Sequence, residues 1–161
     1  MLPDLHIHRH RPLFMTSIRH FMAQDHLHCD AIFANAGRLA ADRDWGRAAT
    51  EFTQFRSLVL QHFGAEESLL FPAFEEKSGM RMGPTQVMRG EHVQMRQLMD
   101  AAGAALHDKD EDNYDGYAET LLIMLQQHNL KEENMLYPMC DQHLMDQIDA
   151  LLPQLQHEIQ K

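Results

Sequence analysis

The feature that most constrains the fold of this chain is an internal repeat with a period of 66 residues. The repeat pairs the segment at 62–72 (HFGAEESLLFP) with the segment at 128–138 (HNLKEENMLYP), and the DH at 25–26 with the EH at 91–92. Each half therefore carries a lone histidine and, 36 residues later, a histidine followed four positions on by a glutamate. This pattern predicts two similar halves related by a pseudo-two-fold axis.

Each half is predicted to be a helical hairpin, because helix-forming residues dominate and strand-like alternation is missing. The predicted helices span residues 16–41, 45–70, 85–107 and 114–137. We expect the second and fourth to end near Pro72 and Pro138, and Thr16 or Ser17 to cap the first. Short connections make neighbours antiparallel, which predicts an all-α, up-down-up-down four-helix bundle. The predicted domain covers 1–161: an arm at 1–12, the bundle at about 13–140, and a C-terminal helix at about 141–160, interrupted near Pro153.

Composition excludes several partners and locations. The net charge of −10 repels phosphate backbones, so we expect no nucleic-acid partner. No apolar run approaches the ~18 residues of a membrane span, and residues 1–12 lack the apolar core of a signal peptide. The two cysteines, Cys29 and Cys140, form no CxxC motif. We therefore expect a cytoplasmic protein with two free thiols and no membrane contact.

Six polar side chains are predicted to converge in the bundle core. Residues four apart lie on one helical face, so each His-x-x-x-Glu pair points one way, and the two-fold brings both pairs to one level. The lone histidines reach that level from the other two helices. The six predicted ligands are His26, His62, Glu66, His92, His128 and Glu132.

A pair of divalent metal ions explains this set. Two buried carboxylates need a strong positive partner, and no inward lysine or arginine is predicted at this level in both halves. Mixed imidazole and carboxylate ligands suit iron, manganese or zinc. With two histidines and two carboxylate oxygens on each metal, a position stays open for a small molecule, which favours redox-active iron.

Further residues are predicted near this site, each with an alternative. Asp30 and Arg96 lie one turn after His26 and His92, so they form either an ion pair across the bundle or two separate surface contacts. Tyr137 stands where the other half has Phe71; it either donates a hydrogen bond near the site or anchors a helix end.

Two glutamates and three histidines are predicted to stay outside the ligand set. Glu67 and Glu133 are ~100° round the helix from Glu66 and Glu132 and are expected at helix–helix edges. In the N-terminal arm, a solvated segment is favoured over a metal site for His6, His8 and His10.

The four motif segments resemble those of the hemerythrin-like family, also called the HHE cation-binding domain, over about residues 20–141. The resemblance implies a non-haem site of two iron ions bridged by oxide or hydroxide, with zinc or manganese as possible replacements. It also implies binding of O₂ or NO, for sensing, delivery or protection against oxidative and nitrosative stress. The alternative is a redox enzyme that reduces NO or peroxide with an electron donor, or an iron donor for iron–sulfur centre repair.

The ligand set itself is similar to that of a particular branch of the family. Oxygen-carrying hemerythrins have a second histidine where this chain has Arg96, and a His-x-x-x-x-Asp pair where it has His128 and Glu132. The four-histidine, two-glutamate set looks instead like that of the bacterial iron-centre repair proteins.

Overall fold

The computed structural model describes residues 17–161, so the predictions for the arm and for Thr16 fall on residues outside the described part. Residues 17–161 are helical throughout, apart from short turns, and contain no β-strand. Four helices form the bundle: α1 (Ile18–Ala41), α2 (Trp45–Ala65), α4 (Pro84–His107) and α5 (Glu111–Lys131). Three shorter helices complete the fold: α3 (Phe71–Ser78), α6 (Tyr137–His143) and α7 (Ile148–Ile159). The predicted all-α bundle with an extra C-terminal helix is confirmed.

The two halves are helical hairpins with matching turns. Helix α1 packs on α2, and α4 packs on α5. The turns repeat the period of 66 residues: Asp44 and Asp110 cap α2 and α5, and the preceding Arg43 and Lys109 both adopt positive φ angles, 57° and 56°. Non-glycine residues rarely adopt that conformation. Two independent turns that share it indicate that the repeat extends to the backbone.

The second and fourth helices do not end at their prolines, contrary to expectation. A π-helical segment, Glu66–Leu70, follows α2, and α3 continues from it; the segment Glu132–Leu136 joins α5 to α6 in the same way. Each proline then lies in the first turn of the α segment that follows, a position that proline often occupies. The helical path therefore continues to Ser78 and His143.

The C-terminal helix is also broken at a different place from the one predicted. Helix α7 includes Pro153, and the chain leaves the helical path instead in the turn at 144–147, between α6 and α7. Pro153 lies in the second turn of α7, where it removes one N–H donor from the helix but does not end it. Helix α7 packs with its leucines against α2 and the first π segment.

The apolar core forms two clusters along the bundle. One surrounds Phe33, Phe52 and Phe55, near the hairpin turns. The other contains Ile18, Phe71 and leucines of α7, among others. Along the path of each bundle helix, the buried histidine of the predicted site lies between residues of one cluster and residues of the other. Apolar layers therefore enclose the site from both ends of the bundle.

Candidate metal centre

The structure brings all six predicted side chains together in the bundle core. The Nε2 atoms of His26 and His62 lie 3.1 Å apart, and those of His92 and His128 lie 3.2 Å apart. All six side chains are buried, and Glu66 and Glu132 are fully enclosed. Helical spacing explains the arrangement, since each glutamate follows its histidine by one turn on the same face.

The donor atoms divide into two groups, which we name by their histidines. The His92/His128 position comprises His92, His128, Glu66 and Glu132; the His26/His62 position comprises His26, His62 and Glu132. Within each group the donor atoms lie within 4.8 Å of one another, a spacing that could hold a metal ion. Glu132 belongs to both groups, because it contacts His128 (3.1 Å) and His26 (3.4 Å) through the same oxygen.

Carboxylate oxygens that face only imidazole nitrogens show that the cluster suits a cation. Among the described residues, Glu66 Oε2 and both Glu132 carboxylate oxygens are buried and form no hydrogen bond. Glu66 Oε2 lies 3.2 Å from His92 Nε2, and Glu132 Oε1 lies 3.1 Å from His128 Nε2. A buried carboxylate left without partners is costly, and such groups are normally satisfied. Imidazole nitrogens and carboxylate oxygens are the donors that iron, zinc and manganese share, so the residues present fit a metal pair.

A second ring of carboxylates holds the four imidazoles from behind. Each imidazole donates its Nδ1–H to one carboxylate at 2.7 to 2.8 Å. The pairs are His26 with Glu133, His62 with Asp25, His92 with Glu67, and His128 with Glu91. These contacts leave every Nε2 turned toward the centre, where it can bind a metal ion once it carries no proton. Metal-bound histidines in proteins are typically held in this way.

Sequence reasoning missed the role of this ring. Glu67 and Glu133 were expected only at helix edges, and Asp25 and Glu91 were used only as markers of the repeat. A signal was present, because the period of 66 residues relates Asp25 to Glu91 and Glu67 to Glu133. The ring therefore obeys the same pseudo-symmetry as the inner six.

The predicted ion pair between Asp30 and Arg96 does not form within residues 17–161. Arg96 instead makes a bidentate ion pair with Glu67, with both N–O distances 3.0 Å, behind His92. Asp30 is exposed in the other half, on the side of Glu133. Partial burial of the Asp30 carboxyl raises its pKa. His26 acts in the opposite direction, and the Glu133 carboxylate raises the pKa further. The expectation failed because Arg96 pairs with Glu67, while Asp30 stays exposed in the other half.

The surroundings of the two positions differ. The His92 ring stacks on Phe63, with centroids 3.8 Å apart, and more distantly on Phe71. Arg96 lies over the Phe63 ring at 5.4 Å. The repeat places Asn129 and Tyr137 at the equivalents of these phenylalanines.

Tyr137 is fully buried, and its hydroxyl points into the cluster. It donates a hydrogen bond to Glu66 Oε1 at 2.6 Å and lies 3.2 Å from His62 Nε2 and 3.3 Å from His26 Nε2. Tyr137 thus makes a hydrogen bond near the site and also begins α6.

In the absence of a cation, protons on imidazole balance the carboxylates. Burial opposes a charge on His62, but the Glu66 carboxylate and the hydrogen bond to Asp25 outweigh it and raise its pKa to about 10. For His128, Glu132 likewise outweighs burial and raises the pKa to about 9. Burial opposes ionisation of Glu66, yet His62 holds the pKa of that carboxyl well below its usual range. A bound cation would take over the role of these protons.

An antiparallel helical bundle with a buried histidine–carboxylate cluster defines a class of metal-binding helical proteins. Comparison with known families identifies which family of metal-binding helical proteins it is. The sequence model described as "Hemerythrin HHE cation binding domain" matches residues 17–140, and the chain belongs to that family. It is therefore a cation-binding protein, as its motifs predicted.

Two further comparisons gave no match: neither the curated proteins nor the solved structures contain one that is significantly similar. Among the helices described, none combines the length and the apolar character needed to cross a membrane.

Proposed function

We propose that this protein is a non-haem di-iron protein that binds O₂ or NO, with His26, His62, Glu66, His92, His128 and Glu132 as the metal ligands. The observation that carries the proposal is the convergence of four imidazole Nε2 atoms on two buried carboxylates, three of whose oxygens accept no hydrogen bond. Iron bound there would supply redox chemistry and open coordination positions for a diatomic molecule.

The enclosure of the site supports a small ligand. The six inner residues are at most 6% exposed, and apolar clusters lie on both sides of them along the bundle. Such a site admits a diatomic gas more readily than an organic substrate. It also favours retention of the metal, and thus gas sensing, delivery or protection, over iron donation to a damaged iron–sulfur centre. Donation would require fully enclosed Glu66 and Glu132 to open.

The outer residues are proposed to tune this centre. Glu67, Glu91, Glu133 and Asp25 orient the histidines, and Arg96 acts through Glu67. Asp30 adds negative charge beside Glu133. An electron donor is required only if the protein turns over NO or peroxide.

Metal analysis combined with optical spectra tests the proposal. Protein loaded anaerobically with ferrous iron is expected to hold two iron ions per chain, and its spectrum is expected to change on addition of O₂ or NO. His62→Ala and Glu132→Ala should lose one or both ions. The matched control is His28→Ala, which alters an exposed histidine of α1. A full iron complement in both site variants would refute the assignment, and so would preferential retention of zinc or manganese with no response to either gas.

A further inference from the structure

The repeat places different chemistry at two equivalent points of the cluster. Phe71 and Tyr137 are related by the period of 66 residues, each begins the α segment after a π turn, and both are fully buried. Phe71 brings only a ring to the His92/His128 position. Tyr137 brings an oxygen atom to the His26/His62 position. The two positions therefore differ in the number of donor atoms available.

The Tyr137 oxygen is spaced like a ligand. Two donors bound to one cation at 2.0–2.1 Å, at right angles, lie ~3 Å apart. The Nε2 atoms of His26 and His62 are 3.1 Å apart, and the Tyr137 oxygen is 3.2 and 3.3 Å from them. Its 2.6 Å contact with Glu66 Oε1 places it beside a carboxylate oxygen that faces the same position. Those separations suit donor atoms that would share one cation.

We propose that the phenol oxygen of Tyr137 is a direct ligand to the cation at the His26/His62 position, a seventh protein donor. The proposal rests on the proposed function, because it requires that the cluster bind cations. On binding, the O–H bond of Tyr137 breaks, the proton leaves to solvent, and the oxygen lone pair binds the cation with no change of oxidation state.

The charges around the site support the same asymmetry. At the His92/His128 position, Arg96 pairs with the outer carboxylate Glu67 and offsets its charge. At the His26/His62 position, the repeat places Asp30 where the other half has Arg96, so the equivalent residue carries a negative rather than a positive charge. Negative surroundings favour the more highly charged cation. The His26/His62 position is thus suited to ferric iron, and a tyrosine oxygen adds to that preference.

Zinc binding followed by near-ultraviolet difference spectroscopy tests the proposal without redox chemistry. The chain has three tyrosines, so ionisation of one is readily counted against the total. Addition of two equivalents of Zn²⁺ to the full-length metal-free protein is expected to produce tyrosinate absorbance equal to one tyrosine per chain. The signal should be lost in Tyr137→Phe, a change that installs the residue of the other half. It should persist in Tyr114→Phe, which removes a buried hydroxyl of the first apolar cluster.

The same samples, loaded with ferric iron, give a second readout. Wild-type protein and Tyr114→Phe should show a visible tyrosinate-to-iron charge-transfer band, and Tyr137→Phe should lack it. If wild-type protein binds two zinc ions with no tyrosinate signal, or if Tyr137→Phe keeps the signal, the ligand assignment is overturned while the proposed function stands. If wild-type protein binds neither zinc nor iron, both fail.

Discussion

At the scale of the residue, the site depends on the direction in which each imidazole points. A histidine can present either ring nitrogen to a metal, and the hydrogen bond at the other nitrogen decides which. Here four carboxylates occupy the four Nδ1 positions. The inner six residues would otherwise have to be oriented by packing alone. The outer ring therefore prepares the site before any cation binds.

Removal of one outer carboxylate is expected to weaken metal binding. In Asp25→Asn, the neutral side chain leaves His62 less basic and less firmly held, so metal affinity should fall by about 10- to 100-fold. Competition with a chromogenic chelator would measure the loss. The control is Asp42→Asn, which alters an exposed aspartate near the α1–α2 turn. Equal affinities for Asp25→Asn and wild type would show that the hydrogen bond does not tune the ligand.

Metal affinity is expected to rise with pH. The pKa values of His62 and His128 are raised to about 10 and about 9, so both imidazoles must lose a proton before they bind a cation. Each released proton changes the affinity by about tenfold per pH unit below those values. Titration with Zn²⁺ at pH 7 and pH 8 would measure the slope for each ion. A flat dependence would mean that the imidazoles are already neutral in the metal-free protein.

Stability of the metal-free protein should change in the opposite direction. A raised pKa means that the folded state holds its proton more tightly than the unfolded state, whose histidines titrate near 6.5. The resulting stabilisation is fully present below pH ~6.5 and is lost as the pH rises through 9 and 10. Melting temperatures of metal-free protein should therefore fall between pH 7 and pH 10. A rise over that interval would contradict this assignment of charge.

The inner six residues were predictable because helical spacing and the repeat are both local, countable properties of the sequence. The partners of Nδ1 were not, because each hydrogen bond joins two different helices. Whether Glu133 reaches His26 depends on how α1 and the second π segment approach each other. The failure at Asp30 and Arg96 has the same origin: one-turn spacing shows which way a residue faces, but not which neighbour it meets.

At the scale of the element, the two π segments are the main departure from what local rules predict. A proline normally ends a helix, and on that rule α2 and α5 should stop at Pro72 and Pro138. The π turns instead carry a bond from the Phe71 N–H to the Glu66 carbonyl, and another from the Tyr137 N–H to the Glu132 carbonyl. Each turn begins at an inner glutamate, as π turns at functional sites often do. The rule that proline ends a helix does not predict that a π turn can carry the helix past it.

Helix α1 depends on a residue far away in the sequence. The side chain of Asp141, in α6, accepts hydrogen bonds from the Ile18 N–H at 2.7 Å and the Arg19 N–H at 3.2 Å. Both N–H groups lie in the first turn of α1, where no intrahelical partner is available. The helix dipole adds to the attraction for a carboxylate.

Loss of this contact should destabilise the fold measurably. Asp141→Ala is expected to lower the free energy of unfolding by about 1 kcal/mol, and the melting temperature by about 2–4 °C. Thermal denaturation followed by circular dichroism would measure the shift. Asp146→Asn, at an exposed ion pair with Lys77, serves as the comparison and should change stability by less than ~0.5 kcal/mol. Equal shifts for the two variants would assign Asp141 no special role.

At the scale of the whole molecule, the polar cluster lies between two apolar clusters and is held by all four bundle helices. A cation bound there contacts the whole bundle, so binding and folding are linked. With free metal at 100 times its Kd, each ion should add about 2.7 kcal/mol to the free energy of unfolding.

Metal removal should therefore lower the melting temperature. The expected loss is roughly 5–10 °C for each ion at that concentration. Calorimetry before and after dialysis against a chelator would measure it, and addition of the metal should restore the original value. Glu132→Ala should melt at the same temperature with and without the chelator if both ions are lost. If the chelator does not change the melting temperature of the wild-type protein, cation binding does not contribute to its stability.

The continuity of the chain between the hairpins has a consequence for what the centre can become. If two identical hairpin chains met across a true two-fold axis, any substitution would appear on both sides at once. Here the copies are covalently joined, so one carries Phe71 and Arg96 while the other carries Tyr137 and Asp30. Duplication gives the two hairpins the same backbone arrangement, and because they belong to one chain each can change its side chains independently. The two cation positions of such a centre can therefore take different chemical roles.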